Sequence, residues 1–474
     1  MKKNIYITVL LSTVLAFGAC KREEFLDVTP KGIVIPSTLA DFRLILDNVV
    51  SAASSGSVTN GLSAKHQITA MMTDNTTLTP DLTIALYKQD YEVRAYLFED
   101  AIYGPTEDDL DWNRYYQHIY VANVVLEGLK DISGQTAEKS LLEAEARLHR
   151  AYAYLNLVNM YAAHYNSATA GSDLGVPIRE GIQLSGVDLT RASVQAVYDL
   201  VIADLTFGTQ NLADKQPGTL QFRPSKAAAF GLLARAYLYQ AKYMDALAAA
   251  GSALNLQGTI RDINTDPASI FAPGVRVFPN QVNDPEVIWY KDQGGLFLSA
   301  ANSELLNLYE TGDLRKEWYS TVRNHLILGN NIDGTIYAAQ LVANNTSSGV
   351  RTSELLLIRA ECHARLGNIA EANADLNALR KKRFKPANFL DVNITNQAAL
   401  LRFVKAERRR EMAADAERLF DIKRYNFLDQ DGISVTHTYN GKTVTVGPNS
   451  KKWVLPIGTK YTQINPEIVQ NPRD

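Results

Sequence analysis

Cysteine is nearly missing: the 474 residues hold two, Cys20 and Cys362, so no disulfide framework can carry this fold. Charge of one sign is equally scarce. A formal net charge of −3, with no long run of Lys or Arg, removes the electrostatic footprint of a nucleic-acid binder or a polybasic membrane binder. Apart from the N-terminus there is no long apolar run, and even that one falls short of the roughly 20 residues that span a bilayer. Seven histidines are scattered without ligand spacing, so no metal centre is expected, and no cofactor motif is present. There is no zincin helix, nucleophile elbow or phosphate-cradling glycine loop. No enzymatic activity is expected. The acidic run Glu107, Asp108, Asp109 and Asp111 precedes a helical pattern, where carboxylates favour the helix N-terminus over a calcium ion.

What is present begins at the N-terminus. Lys2 and Lys3 precede an apolar stretch from Ile5 to Phe17 that ends in Gly18-Ala19-Cys20, the pattern of an export signal with a bacterial lipobox. Residues 1–19 are then a signal peptide, Cys20 is the acylated first residue of the mature chain, and residues 20–30 are a tether. Residues 31–474 are expected to form one body, divided near residue 255 into an N-terminal region with helix pairs and a C-terminal region at about 256–474.

Helical periodicity is strongest from Trp112 to Lys130 and from Glu138 to Tyr165, separated by the turn Asp131-Ile132-Ser133-Gly134. Further pairs run from Ser225 to Gln240 with Tyr243 to Leu254, and from Ser353 to Leu366 with Ile369 to Arg380. Their turns match: Ala241 with Ala246, and Gly367 with Ala372, place small residues where a tetratricopeptide-like (TPR-like) pair must cross closely. The segments Leu256 to Ala301 and Leu326 to Val350 lack a helical period and read as loops with short strands. Val435 to Val446 alternates around Asn440-Gly441, a β-hairpin signal. The expected fold is mainly α: TPR-like helix pairs forming a scaffold with long insertions and a small hairpin near the C-terminus. Cys362, inside a helical pattern, is expected to be a buried small hydrophobe. The charged stretch Glu407 to Glu411 with Arg418 is expected to be salt-bridged scaffold.

The ordered motifs resemble the SusD/RagB family over nearly the whole mature length. They include Phe25-Leu26-Asp27 with Pro30; Trp112, Tyr116 and Asn123; Glu143 to Arg147 with Arg150-Ala151-Tyr152; and Leu174-Gly175-Val176-Pro177. Arg223-Pro224-Ser225-Lys226-Ala227, Glu407-Arg408 with Glu411 and Arg418, Leu455-Pro456-Ile457 and Asn465-Pro466-Glu467 continue the order. Asp415-Ala416 and Leu419 stand where the family tends to have Glu-Gly and Trp. The resemblance implies an α-helical TPR-containing fold, a lipid-anchored outer-membrane protein facing outward, and a SusC-like TonB-dependent transporter as partner. It also implies a ligand that is an oligosaccharide or, in RagB-like members, a peptide. A TPR-type scaffold for other surface proteins is the alternative, and a surface hydrolase comes last.

A glycan site needs aromatic platforms for the apolar faces of sugar rings and directional polar groups for their hydroxyls. The densest mixture outside the clear helices runs from Asp74 and Asn75 through Tyr91, Tyr96, Phe98 and Tyr103, a stretch that commonly supplies ligand contacts in the family. The insertion with Trp289, Tyr290 and Phe297 is a second source, Trp289 being expected in the core.

Overall fold

The computed structural model describes residues 36–48, 62, 68–269, 274–277, 279, 283–291, 300–321, 333–338 and 349–474. Cys20, the rest of the N-terminal signal and Phe297 lie outside the described residues.

Nine helices occupy the first part of the described chain: α1 (Leu39–Leu46), α2 (Ile68–Met71), α3 (Pro80–Ala85), α4 (Asp90–Tyr96), α5 (Leu110–Asp131), α6 (Ala137–Tyr161), α7 (Val194–Asn211), α8 (Lys226–Tyr239) and α9 (Tyr243–Leu256). Short strands β1 (Val287–Trp289) and β2 (Ala300–Ala301), helix α10 (Ser303–Leu306) and strands β3 (Tyr319–Thr321), β4 (Thr335–Tyr337) and β5 (Val350–Arg351) make up the insertions. Helices α11 (Thr352–Leu366), α12 (Ile369–Arg380), α13 (Gln397–Glu411) and α14 (Arg418–Leu428) follow, then the hairpin β6 (Val435–Tyr439) and β7 (Lys442–Val446), and α15 (Thr459–Ile464). The mainly helical expectation holds.

Local chemistry sets the boundaries. Asp109 caps α5, its carboxylate accepting from the Trp112 amide at 3.1 Å, so the acidic run meets a helix N-terminus. Thr136 caps α6 in the same way. Helix α6 stops at Tyr161, short of the Tyr165 that periodicity suggested. Its last carbonyls are taken by distant side chains: Lys423 Nζ donates to Asn159 O and Ala162 O at 2.6 and 2.7 Å, and Arg191 and Asn471 donate to Tyr161 O. Those are the orphan acceptors of a helix end, here satisfied by tertiary contacts. Asn440 and Gly441 both have positive φ, 48° and 80°, the geometry of a two-residue hairpin turn, and Val435 pairs with Val446.

Helices α5 to α9 pack in sequence, and α11 lies against α8, α9, α12 and α13. Ala246 and Ala372 are fully buried in these contacts. One apolar cluster takes in side chains from Ile68 on α2 to Ile468 near the C-terminus, including Trp289 and Cys362. In the insertions, β2, β4 and β3 form a three-stranded antiparallel sheet and β1 pairs with β5.

The charged stretch on α13 is buried rather than solvated. Glu407 accepts from Arg315, Arg380 and Arg410 at 2.7, 2.9 and 2.5 Å. Glu411 joins Arg315 and Arg383, and Arg383 reaches Glu286 at 2.6 Å. The network ties α13 to β1's approach, to the turn before β3 and to the end of α12.

Candidate ligand-binding site

The segment between α2 and α5 is held from behind by residues more than 300 positions away. Arg418, at the start of α14, donates to both oxygens of Asp74 at 2.8 Å. Arg409 on α13 reaches the Asp74 carbonyl and the Asn75 side-chain oxygen at 2.7 and 2.8 Å. Burial pushes the Asp74 carboxyl up, but the two guanidiniums outweigh it and hold it below the usual carboxylate range. Thr76 bridges to Ala301, which seats β2 against the same loop. Asp74 and Asn75 are both buried. Their side chains anchor the loop.

The expected aromatic platforms divide sharply by exposure. Tyr96, Phe98 and Tyr103 are buried, Phe98 completely. Tyr96 stacks on His437 of β6, ring centroids 3.8 Å apart, while Phe98 meets His437 and the edge of Trp453. These rings pack against neighbouring side chains rather than standing in solvent. Aromatic rings carry so much apolar area that the core claimed them first. Tyr91 is half-buried and stacks on Tyr103 at 5.2 Å. Tyr290 is also half-buried, and its amide donates to Gln221 O at 2.8 Å, so it is fixed against the turn before α8.

One ring that the sequence reading passed over stands in the open. Tyr87, between α3 and α4, is 79% exposed with φ of 52°, and Ile84 beside it is 74% exposed. A non-glycine residue at positive φ is strained. The conformation persists because both flanking helix ends are pinned: Lys88 N donates to Thr83 O at 2.9 Å, Gln89 Nε2 donates to Tyr87 O at 3.1 Å, and Lys88 pairs with Glu92 at 2.8 Å. The signal available in the sequence was the Tyr-Lys-Gln link between Thr79-Pro80 and Asp90, a turn bounded by two helix starts. The 73–103 segment thus presents Tyr87 and Ile84 outward, with Tyr91 half-buried, on a base of Asp74, Tyr96, Phe98 and Tyr103.

Among the described residues no group of three or more His, Cys, Asp or Glu side chains could hold a metal ion, and no helix is long and apolar enough to cross a membrane.

Comparison with known proteins agrees with this architecture. A family model described as starch-binding and associating with the outer membrane matches residues 24–238, and a model of the SusD family matches residues 337–473. The SusD-like protein P25 of Formosa agariphila is 20% identical, covering 98% of each chain. The SusD-like protein P38 of the same organism is 22% identical over 76% of this chain and 79% of its own. Among solved structures, a SusD superfamily protein from Bacteroides thetaiotaomicron superposes with a TM-score of 0.72 at 19% identity, covering 92% of this chain and all of the other. A sugar-binding protein from Bacteroides vulgatus, itself described as putative, gives 0.71 at 20% identity, over 93% and 99%. With matching models at both ends of the chain, full-length SusD-like relatives and the same helical architecture, the chain belongs to the SusD/RagB family.

Proposed function

We propose that this protein is a surface lipoprotein of the outer membrane, anchored through Cys20, that binds oligosaccharides and passes them to a SusC-like TonB-dependent transporter. The observation that carries the reading is the family match at both ends of the chain, whose N-terminal model is described as starch-binding and associating with the outer membrane. Residues 31–474 act as one body, its helix pairs a TPR-like frame for the ligand face. That face is built on the 73–103 segment, with Tyr87, Tyr91 and Tyr290 as platforms and Asp74, Asn75, Tyr96, Phe98 and Tyr103 as the base that fixes them. No catalytic step is assigned. The protein acts by holding ligand.

The test has two arms. The purified mature chain is titrated with a panel of plant, algal and host glycans and short peptides, and outer-membrane extracts are passed over the tagged protein. A glycan that binds, together with co-purification of a barrel transporter, is the expected result. Binding confined to peptides overturns the substrate class, and capture of no barrel overturns the delivery role.

A further inference from the structure

A cleft of about 600 Å3 opens where α6 ends, and none of its lining residues belongs to the 73–103 segment. Its walls are the turn after α6, the 172–174 loop, the last turns of α14, the turn after β7 and the C-terminal tail. Side chains brace these walls from several directions. Lys423 holds the end of α6, Asn426 bonds both the amide and the carbonyl of Ile433 at 2.8 and 2.9 Å, and Asn471 donates to Tyr161 O and Leu455 O at 2.8 Å. The cleft is therefore preformed, and its volume lies within the range of about 300–1,000 Å3 common to small-ligand sites.

Its chemistry is amphipathic. Phe427 is 46% exposed and Leu174 43%, giving the cleft an open aromatic face and an aliphatic rim. The His164 ring tilts against Phe427, centroids 5.5 Å apart, and its Nε2 is buried without a hydrogen-bond partner. Burial drops this imidazole to a pKa of about 3, so it stays neutral, with one N–H and one lone pair. Lys423 donates twice to the α6 carbonyls, and burial drops its pKa to about 7, so its remaining position is a donor when the amine is charged and a lone pair when it is not. Asp173 has one carboxylate oxygen engaged by Thr169 at 2.6 Å. An unpaired buried nitrogen costs free energy unless a ligand or solvent meets it. Donors and acceptors interspersed around one aromatic face suit a ring with an apolar side and hydroxyls on its edge.

We propose that this cleft is a second saccharide site, separate from the 73–103 segment, taking a short oligosaccharide with one pyranose ring on Phe427 and its hydroxyls on His164, Lys423 and Asp173. The choice of a saccharide rests on the function proposed above, whereas the location rests on the cleft alone. Two sites on one body would give a carrier bivalent hold on a longer glycan.

The test uses the full mature chain in detergent, titrated calorimetrically with maltotriose, cellotriose, mannotriose and chitotriose, as wild type and as Phe427→Ala, His164→Ala, Leu174→Trp, Tyr87→Ala and, at an exposed position outside both sites, Leu390→Ala. At least one trisaccharide is expected to bind at two sites on each chain, one weakened tenfold or more in Phe427→Ala and His164→Ala but kept in Tyr87→Ala, and both unchanged in Leu390→Ala. Leu174→Trp, which fills the cleft from its exposed rim, should act like Phe427→Ala and covers the case in which that variant does not fold. Trisaccharide binding unchanged in the folded cleft variants overturns the second site. If saccharides bind and only Tyr87→Ala weakens them, the cleft fails while the glycan-binding function stands. If no saccharide of any length binds, both fail.

Discussion

Asp74 and Arg418 lie 344 positions apart and meet through two parallel hydrogen bonds of 2.8 Å in a buried setting. Removing Asp74 strands the Arg418 charge away from water, and removing Arg418 leaves the Asp74 carboxylate with Arg409 alone, at 3.2 Å. Arg418→Ala or Asp74→Ala is expected to cost about 3–5 kcal/mol, whereas the paired change to Met and Leu costs far less. Denaturant unfolding of the three variants checks this. A loss in the double variant equal to the sum of the two single losses would show that the pair is not acting as a unit.

Tyr87 and Phe98 should separate binding from stability. Tyr87→Ala is expected to leave the melting temperature unchanged while weakening glycan binding at the 73–103 segment tenfold or more, about 1.4 kcal/mol. Phe98→Ala opens a cavity beneath the same segment and should cost about 3–5 kcal/mol of stability. Calorimetric titration alongside thermal melts reads both. Full affinity in a folded Tyr87→Ala protein would move the ligand face elsewhere.

Two backbone positions predict changes of opposite sign. Gly367 closes α11 at φ of 82°, and a Cβ there would meet only Gln397 Nε2, at an unstrained 3.9 Å, so Gly367→Ala should cost about 1 kcal/mol from conformation alone. Ala416 stands at φ of 58° where the family tends to have glycine. Ala416→Gly relieves that strain but loosens the unfolded chain, for a net gain of roughly 0.5 kcal/mol. Chemical denaturation of the two variants measures both signs.

Acid should unfold the protein partly through Glu407. Burial alone would raise its pKa, but Arg315, Arg410 and Arg380 override burial and bring it to about 2. A carboxyl whose folded pKa lies below its unfolded value near 4.5 adds stability that is fully present above pH 4.5 and is lost as pH falls toward 2. Stability measured from pH 6 to pH 2.5 should therefore drop more steeply in the wild type than in Glu407→Gln, which starts lower and is flatter. Parallel curves would remove Glu407 from the acid response.

Membrane attachment should depend on one atom, the Cys20 sulfur. Cys20→Ser is expected to give a folded protein that fractionates away from outer membranes when the transporter is absent. Retention of that variant with membranes would refute the lipid anchor.

Much of the fold was legible in the sequence because it is written in local signals. The α5–α6, α8–α9 and α11–α12 pairs followed from apolar periodicity and short polar turns, and the hairpin followed from Asn440-Gly441. Ala246, Ala372 and Cys362 were recognisable as buried from their size and spacing. The charged stretch on α13 was readable as scaffold, though its burial was not, since Glu407 is enclosed by Arg315 and Arg380 from other parts of the chain.

What only the tertiary structure decided is which polar and aromatic side chains are free to meet a ligand. Composition marked the 73–103 segment, but a tyrosine reads the same whether His437 covers its face, as at Tyr96, or solvent does, as at Tyr87. Exposure is set by partners hundreds of residues away: Arg418 for Asp74, Trp453 for Phe98, Lys423 for the end of α6. The sequence by itself determined the helices, the hairpin and the family, because periodicity, turn chemistry and ordered motifs act over short spans. The exposure of the side chains on the proposed binding surfaces was decided by long-range packing, which assigns each ring and charge either to the core or to the outside.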